Sequence, residues 1–429
     1  VADQLLPWEK IDKDKVDLAE KRVQNAVTAF RAQVIDGRLF ISDIRALWFA
    51  RQYTASAKLT LLAVLRNFKD QIPNLDIVIN QGDYPVVLPP RNAEHLKRLY
   101  DDTPYPIIFS PTSSATTYDL MWPDFSFMPP NGEHELRTPR WDIERQNVLK
   151  AGREIRWEDK LDFAAFTGNT QAGPRQVLAQ VARENPDELL VNAIFFKTDT
   201  GRLSCEQEGL GNVGGLQEQK CSMSFSELCR YRYLVNVGSN GYANKLKYLF
   251  LCNSVVIFVR DGSPNSEFFQ SQLIPGTHYY AVNTMADVPS AVKYLRANPK
   301  IARTIAQTGT KRMSQLSFYE VTRYLATLLK AYAKRLSYEV VRDPRSFEVN
   351  CEDDLWRHYI VHTAEVPKFL TQDNASCLVP PQKKEIVPPG WGGSWRGGSV
   401  ACETAHDLTA QPDACDHPTD KCKRRERCP

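Results

Sequence analysis

The sequence predicts an α/β protein with two Rossmann-like domains facing a cleft and a disulfide-rich C-terminal extension. Three observations lead there. Short apolar strands alternate with helical segments, the order that builds parallel βαβ units. The alternation comes in two runs, before and after about residue 155. From about Pro344 the composition turns to Pro, Gly, Trp and Cys, as in PPGWGGSWRGG at 388–398. Such a stretch cannot make a conventional core, and disulfides are what would hold it. The expected domains are residues 1–155, 156–343 and 344–429.

Each element follows from local pattern. Residues 12–36 carry apolar side chains three and four apart with charges between them, which predicts a surface helix. A second helix is expected over Ala55–Lys69, then a compact apolar strand at Leu75–Asn80. Asp83-Tyr84-Pro85 ends that strand, because proline cannot continue a ladder. Pro106–Ser110 is a short buried strand, followed by the polar loop Pro111–Thr117 and the aromatic segment Tyr118–Phe127. Arg140–Ala151, extended to Trp157, reads as helix. Leu161–Phe166 is a strand and TGNTQAG a loop, and Pro174 stands where a helix often begins, ahead of RQVLAQVAREN. Leu189–Phe195 returns as a strand, and Cys205 and Cys221 would clip the Gly-rich excursion at 201–222. Tyr233–Val237 is a strand, Gly238 and Gly241 mark a turn, Lys245 and Lys247 open a basic helix, and Val255–Val259 is a further strand. Helices at Ser290–Asn298, Lys300–Gln315 and Phe318–Glu339 close the second run.

A net charge of +3 over 429 residues forces no polybasic surface for nucleic acid or membrane. No apolar run reaches the roughly 18 residues that a membrane span needs. A chain opening on Val1 is compatible with an upstream signal or anchor that has been removed. The ten cysteines are even in number, and four of them (Cys402, Cys415, Cys422, Cys428) crowd the final segment. Asn374-Ala375-Ser376 is an N-glycosylation sequon. The cysteines and the sequon together point to an oxidising, secretory compartment, for which the lumen of the Golgi or endoplasmic reticulum is the expectation. A cytosolic protein with free buried thiols is the other reading. Zinc is not expected, since Cys415, Cys422 and Cys428 with His406 or His417 match no standard ligand spacing.

The residues fit for chemistry lie at strand ends. A strand, a Gly turn and a helix start, as at 233–247, bring N–H groups and a helix dipole together, and that arrangement suits a phosphate. Lys245 and Arg175, each at a helix start behind a Gly loop, could add full charge to a diphosphate contact. A lone cation there is otherwise a solvated first-turn residue. Asp12-Lys13-Asp14 matches a metal-binding DxD pattern but sits in a charge-rich helix start, so a solvated face is the better reading and no metal is expected. Glu267, before Phe268, is either an acceptor for ribose hydroxyls or an ordinary helix-start acid. Asp119 lies among apolar and aromatic residues that would desolvate it and raise its basicity, as suits a general base. It could equally cap a helix. Asp83 is a second carboxylate, in a turn, while Trp122 and Phe125 are rings of the kind that stack on a sugar.

These segments resemble the CAP10-type, Rumi-like protein O-glycosyltransferases, glycosyltransferase family 90, over about Leu75 to Tyr332. The specific part is CRYRYLVNV, NKLKYLFLCNS and EFFQSQLIPGTHYYAV; LDIVINQGDYPVV, YDLMWPDFSF and FTGNTQAGPR add to it. The resemblance implies a GT-B fold, a UDP-sugar as co-substrate with no cofactor or obligatory metal, and inversion at the anomeric carbon. It places the base on Asp119, donor contacts on Gly168, Arg175, Gly241, Lys245, Glu267 and Phe268, and acceptor contacts on Asp83, Trp122 and Phe125. It pairs Cys229 with Cys252. The chain departs from the family pattern where Gly82, Thr167, Thr170 and Lys245 stand in place of arginines. Glucose or xylose is the implied sugar, and a glycan or glycoprotein the acceptor. A non-catalytic carbohydrate-binding protein that kept the fold is the competing reading, favoured by the lost arginines and opposed by Asp119.

Overall fold

The computed structural model describes residues 1, 3–26, 28–43, 51–87, 106–127, 140–170, 175–196, 203–204, 223–239, 241–351 and 354–355. The strands are β1 (Ala29–Ile35), β2 (Arg38–Asp43), β3 (Leu75–Asn80), β4 (Ile108–Ser110), β5 (Leu120–Met121), β6 (Leu161–Asn169), β7 (Leu189–Phe196), β8 (Leu203–Ser204), β9 (Tyr231–Asn236), β10 (Val255–Val259), β11 (Tyr280–Val282) and β12 (Phe347–Val349). The helices are α1 (Lys13–Arg22), α2 (Arg51–Phe68), α3 (Trp141–Glu154), α4 (Gln176–Glu184), α5 (Phe225–Leu228), α6 (Leu246–Leu251), α7 (Val288–Ala297), α8 (Pro299–Ser314) and α9 (Phe318–Ala333). The expected Cys205–Cys221 clip, Pro174, the sequon at Asn374 and the Cys-rich extension lie outside the described residues. Among the described residues no helix is long and apolar enough to cross a membrane.

Contacts divide the chain into two units, Val1–Ile143 with the residues from Ser317 on, and Glu144–Leu316. The first unit is built on a mixed sheet in the order β12-β2-β1-β3-β4-β5. Here the structure corrects two expectations. The helix predicted over 12–36 stops at Arg22, and β1 and β2 form a hairpin instead. Asp36 and Gly37 both have positive φ (53° and 73°), the two-residue turn that matches the twist of paired strands. The polar residues that mimicked a solvated helix face are buried: Arg31 is 5% exposed and makes a bidentate pair with Asp76, at 2.7 and 2.6 Å. The sheet is also not wholly parallel, since only β3, β4 and β5 run side by side in one direction.

Ser317 onward returns to this unit, and the expected boundary near residue 155 gives way to one at Ile143, inside α3. The reason is the apolar face of α9. Leu325, Ala326, Leu328, Leu329 and Tyr332 are buried in one core with β1, β3 and α2. The Tyr332 hydroxyl donates to the Asp76 carbonyl at 2.7 Å, so the helix is also pinned to the central strand.

The second unit is the Rossmann-like one. Its sheet runs β11-β10-β9-β6-β7-β8, with β6, β7, β9, β10 and β11 parallel and β8 antiparallel. The chain leaves β6 towards β7 on one side and resumes at β9 on the other. The strand order therefore reverses between β6 and β9, and in such sheets ligands bind outside the carboxyl ends of the strands at that point. Gly238, just past β9, packs so closely on the next loop that an added Cβ would stand 1.9 Å from the Gly262 carbonyl oxygen.

Cys229 and Cys252 form the disulfide the resemblance implied, with their Cα atoms 4.6 Å apart. It joins the ends of α5 and α6. The Lys160 ammonium, itself buried, donates to the carbonyls of both cysteines and to Ser254 Oγ. Burial, then the nearby Arg232 charge, pushes the Lys160 pKa down to about 8. The cysteines are 23 residues apart in sequence. Replacing both by serine is expected to cost about 3 kcal/mol of stability, read as a lower denaturant midpoint.

Candidate active site

Each unit carries a polar cluster beside its parallel strands: in the second at their carboxyl ends, and in the first at Asn80 and Ser110, which end β3 and β4, together with Asp119 just ahead of β5. In the second unit the cluster is cationic. Arg175 stands at the N-cap of α4 and is 7% exposed. Its guanidinium donates to the carbonyls of Gly238 (2.8 Å), Val237 (3.1 Å) and Asn169 (3.3 Å), tying the end of β6 to the end of β9. Lys245 stands at the N-cap of α6, is 9% exposed, and donates to the Thr167 carbonyl. Both cations lie over one ring, that of Phe166, with Lys245 Nζ 3.5 Å and the Arg175 guanidinium carbon 5.5 Å from its centroid. Gly168 leaves room for this: a Cβ there would stand 3.4 Å from Lys245 Nζ.

Neither cation meets a carboxylate among the described residues. Burial pushes the Arg175 pKa down to about 10. Burial first, and the Arg175 charge second, hold Lys245 well below the usual lysine range. Asn236, the last residue of β9, adds a buried side-chain oxygen with no hydrogen-bond partner among the described residues. Two buried like charges and a buried acceptor at the strand-order reversal would suit a multiply charged anion that also carries hydrogen-bond donors.

Other expected donor residues sit differently. Gly241 is held through its carbonyl, which accepts from Asn265 Nδ2 at 2.8 Å. Glu267 is buried and paired with the fully buried Lys247 at 3.8 Å, a partner its sequence position did not announce. Phe268 is 4% exposed and set edge-on to Phe269 at 5.6 Å. Packed this way, its ring supports the segment that carries Glu267.

In the first unit the cluster is built round Asp119, 2% exposed, just before β5. It caps no helix. Its Oδ1 accepts from the Val86 N–H (2.8 Å) and from Ser110 Oγ (2.6 Å), and its Oδ2 accepts from the Val87 N–H (2.8 Å). These bonds clamp the segment after β3 and leave Oδ2 a lone pair to spare. Burial is the largest influence on the carboxyl and raises its pKa to about 6, against the lowering effect of those bonds. Asn80 extends the network, donating to Ser110 Oγ at 3.4 Å and to the Tyr84 carbonyl at 3.4 Å.

Asp83 is exposed, beside Tyr84, itself 52% exposed. Phe125 is half-buried. Trp122 is fully buried, its ring edge-on to Phe109 at 5.8 Å. A ring without an exposed face cannot stack on a sugar, so Trp122 belongs to the core. Sequence reasoning missed Phe166, Ser110 and Asn236. The signal for the first was its place one residue before TGN at a strand end.

A family model described as Glycosyl transferase family 90 matches residues 1–387. Protein O-glucosyltransferase 1 of Rattus norvegicus is 29% identical over 323 residues, covering 74% of this chain and 75% of its own. O-glucosyltransferase rumi of Drosophila melanogaster is 28% identical over 276 residues, covering 63% and 62%. Among solved structures, Anabaena HepE in complex with UDP-glucose overlaps 43% of this chain and 53% of its own, at 10% identity and a TM-score of 0.30. That likeness is too slight to argue from.

Proposed function

The chain belongs to glycosyl transferase family 90, and from that premise we propose that it transfers glucose or xylose from a UDP-sugar to a hydroxyl of a glycoprotein or glycan. The relatives named as protein O-glucosyltransferases favour glucose and a protein acceptor. The observation that carries the reading is the pair of buried cations, Arg175 and Lys245, which among the described residues meet no carboxylate at the β6/β9 edge. A UDP-sugar diphosphate supplies the negative charge they lack. Asn236 would accept a hydrogen bond from the nucleoside.

The transfer needs little else from the protein. Asp119 Oδ2 takes the proton of the acceptor hydroxyl, whose oxygen attacks the anomeric carbon from the face opposite UDP. The bond from that carbon to the phosphate oxygen breaks, and the configuration inverts. Arg175 and Lys245 stabilise the charge developing on the departing diphosphate, the part a metal plays in other designs. Asp83 and Phe125 remain for the acceptor. The Cys229–Cys252 disulfide supports an oxidising, secretory setting.

The test is UDP release from a panel of UDP-sugars, with and without a folded acceptor domain. Release with UDP-glucose or UDP-xylose, raised by acceptor, is expected. UDP at about 100 times its Kd should stabilise the protein by about 2.7 kcal/mol. No release and no thermal shift with any nucleotide sugar would leave the non-catalytic reading, which Thr167 and Thr170 at the nucleotide loop favour.

A further inference from the structure

The cation pair has a feature that anion binding alone does not require. Lys245 Nζ and the Arg175 guanidinium share the Phe166 ring and are otherwise surrounded by the backbone carbonyls of Thr167, Asn169, Val237 and Gly238. Lys247, the other cation on α6, is already matched by Glu267. Asp162 and Arg232 lie near the amino ends of β6 and β9, at the opposite edge of the sheet. Among the described residues, Arg175 is thus the charged group that acts on Lys245, and it has the same sign.

Two like charges held out of water repel, and one proton can relieve them. A guanidinium does not give up its proton in a protein, whereas a buried lysine does. In the empty site the lysine is the group that yields. An arriving diphosphate reverses the balance, because a nearby anion favours the charged amine.

We propose that the donor diphosphate binds together with one proton, taken up from solvent at Lys245 Nζ. The proposal rests on the diphosphate reading of this site. The step forms one N–H bond, turns –NH2 into –NH3+, and oxidises nothing. Phe166 makes it workable, since its face holds the nitrogen in either state and attracts the ammonium once formed. When UDP leaves, the proton leaves with it, so release of product is easier as pH rises.

The test is calorimetric titration of the full chain with UDP at pH 8 in three buffers of different ionisation enthalpy and equal ionic strength. Plotting observed enthalpy against buffer ionisation enthalpy counts the protons. The wild-type slope is expected to approach one proton taken up. UDP affinity should fall as pH rises from 7 to 8.5, by at most about tenfold per unit. Lys245→Arg, charged throughout, should still bind UDP, with a slope of zero and an affinity flat across that range. Lys245→Met should bind more weakly and also take up no proton. A wild-type slope of zero with UDP bound overturns the proton link and leaves the diphosphate site standing. An equal slope in Lys245→Arg overturns it too, by moving the uptake to another group. Absence of UDP binding in the wild type overturns the diphosphate reading and the proposal with it.

Discussion

Asp119→Asn is expected to lower kcat by about two to four orders of magnitude, the usual loss when a general base is removed, and to leave UDP binding at its wild-type strength. The geometry separates the two effects. Asp119 belongs to the first unit, bound to Ser110, Val86 and Val87, whereas the cations belong to the second. Its carboxyl, raised to about 6 by burial, is ionised at neutral pH and close enough to it to accept a proton readily. The rate should therefore fall below pH 6 in the wild type, with an acid limb absent from the residual activity of the variant.

Stability moves the other way. The folded carboxyl binds its proton more tightly than the unfolded one, whose pKa is 3.8. Its favourable share is complete below about pH 4 and is lost as pH rises through about 6, a span worth on the order of 3 kcal/mol. The wild type should gain melting temperature on acidification from pH 7.5 to 5 relative to Asp119→Asn. The amide also sets an NH2 group against a backbone N–H, which costs about 1–3 kcal/mol. Full activity in a folded Asp119→Asn would remove this residue from the chemistry and leave it as the clamp of the segment at 86–87.

Much of the fold was legible where burial and side-chain type agree. β3 and β10 fall at Leu75–Asn80 and Val255–Val259, as their apolar runs predict. Reading failed where polarity is buried. Arg31 and Gln33 sit on one face of β1 and find Asp76 across the sheet, a partner set by strand register and not by spacing along the chain. They looked like the wet side of a helix, and only the Asp-Gly pair at 36–37 marked a hairpin. Trp122, buried edge-on to Phe109, shows the converse. An aromatic near a functional segment suggests a platform, yet whether its face is open depends on packing that no local pattern encodes. Arg175 and Lys245 could be picked out as helix-start cations. That both share Phe166, with no counter-ion among the described residues, emerges only when the ends of β6 and β9 come together.

Arg175→Met should weaken UDP binding by about 30-fold to several thousand-fold, the 2–5 kcal/mol typical of truncating one member of a buried charged pair. Burial lowers the guanidinium to about 10, so it is fully charged at pH 7. Methionine keeps much of the apolar stem but loses the charge and all three carbonyl bonds, to Asn169, Val237 and Gly238. Arg175→Lys separates these contributions. It restores the charge as a point, without the planar fork that reaches carbonyls and phosphate oxygens together. If Arg175 acts only as a charge, lysine recovers nearly all of the lost affinity. If it acts as the stitch between β6 and β9, lysine recovers little, and KM for the UDP-sugar rises more than kcat falls. The bonds to two strand ends favour the second outcome. Wild-type affinity in Arg175→Met would move the diphosphate away from this edge of the sheet.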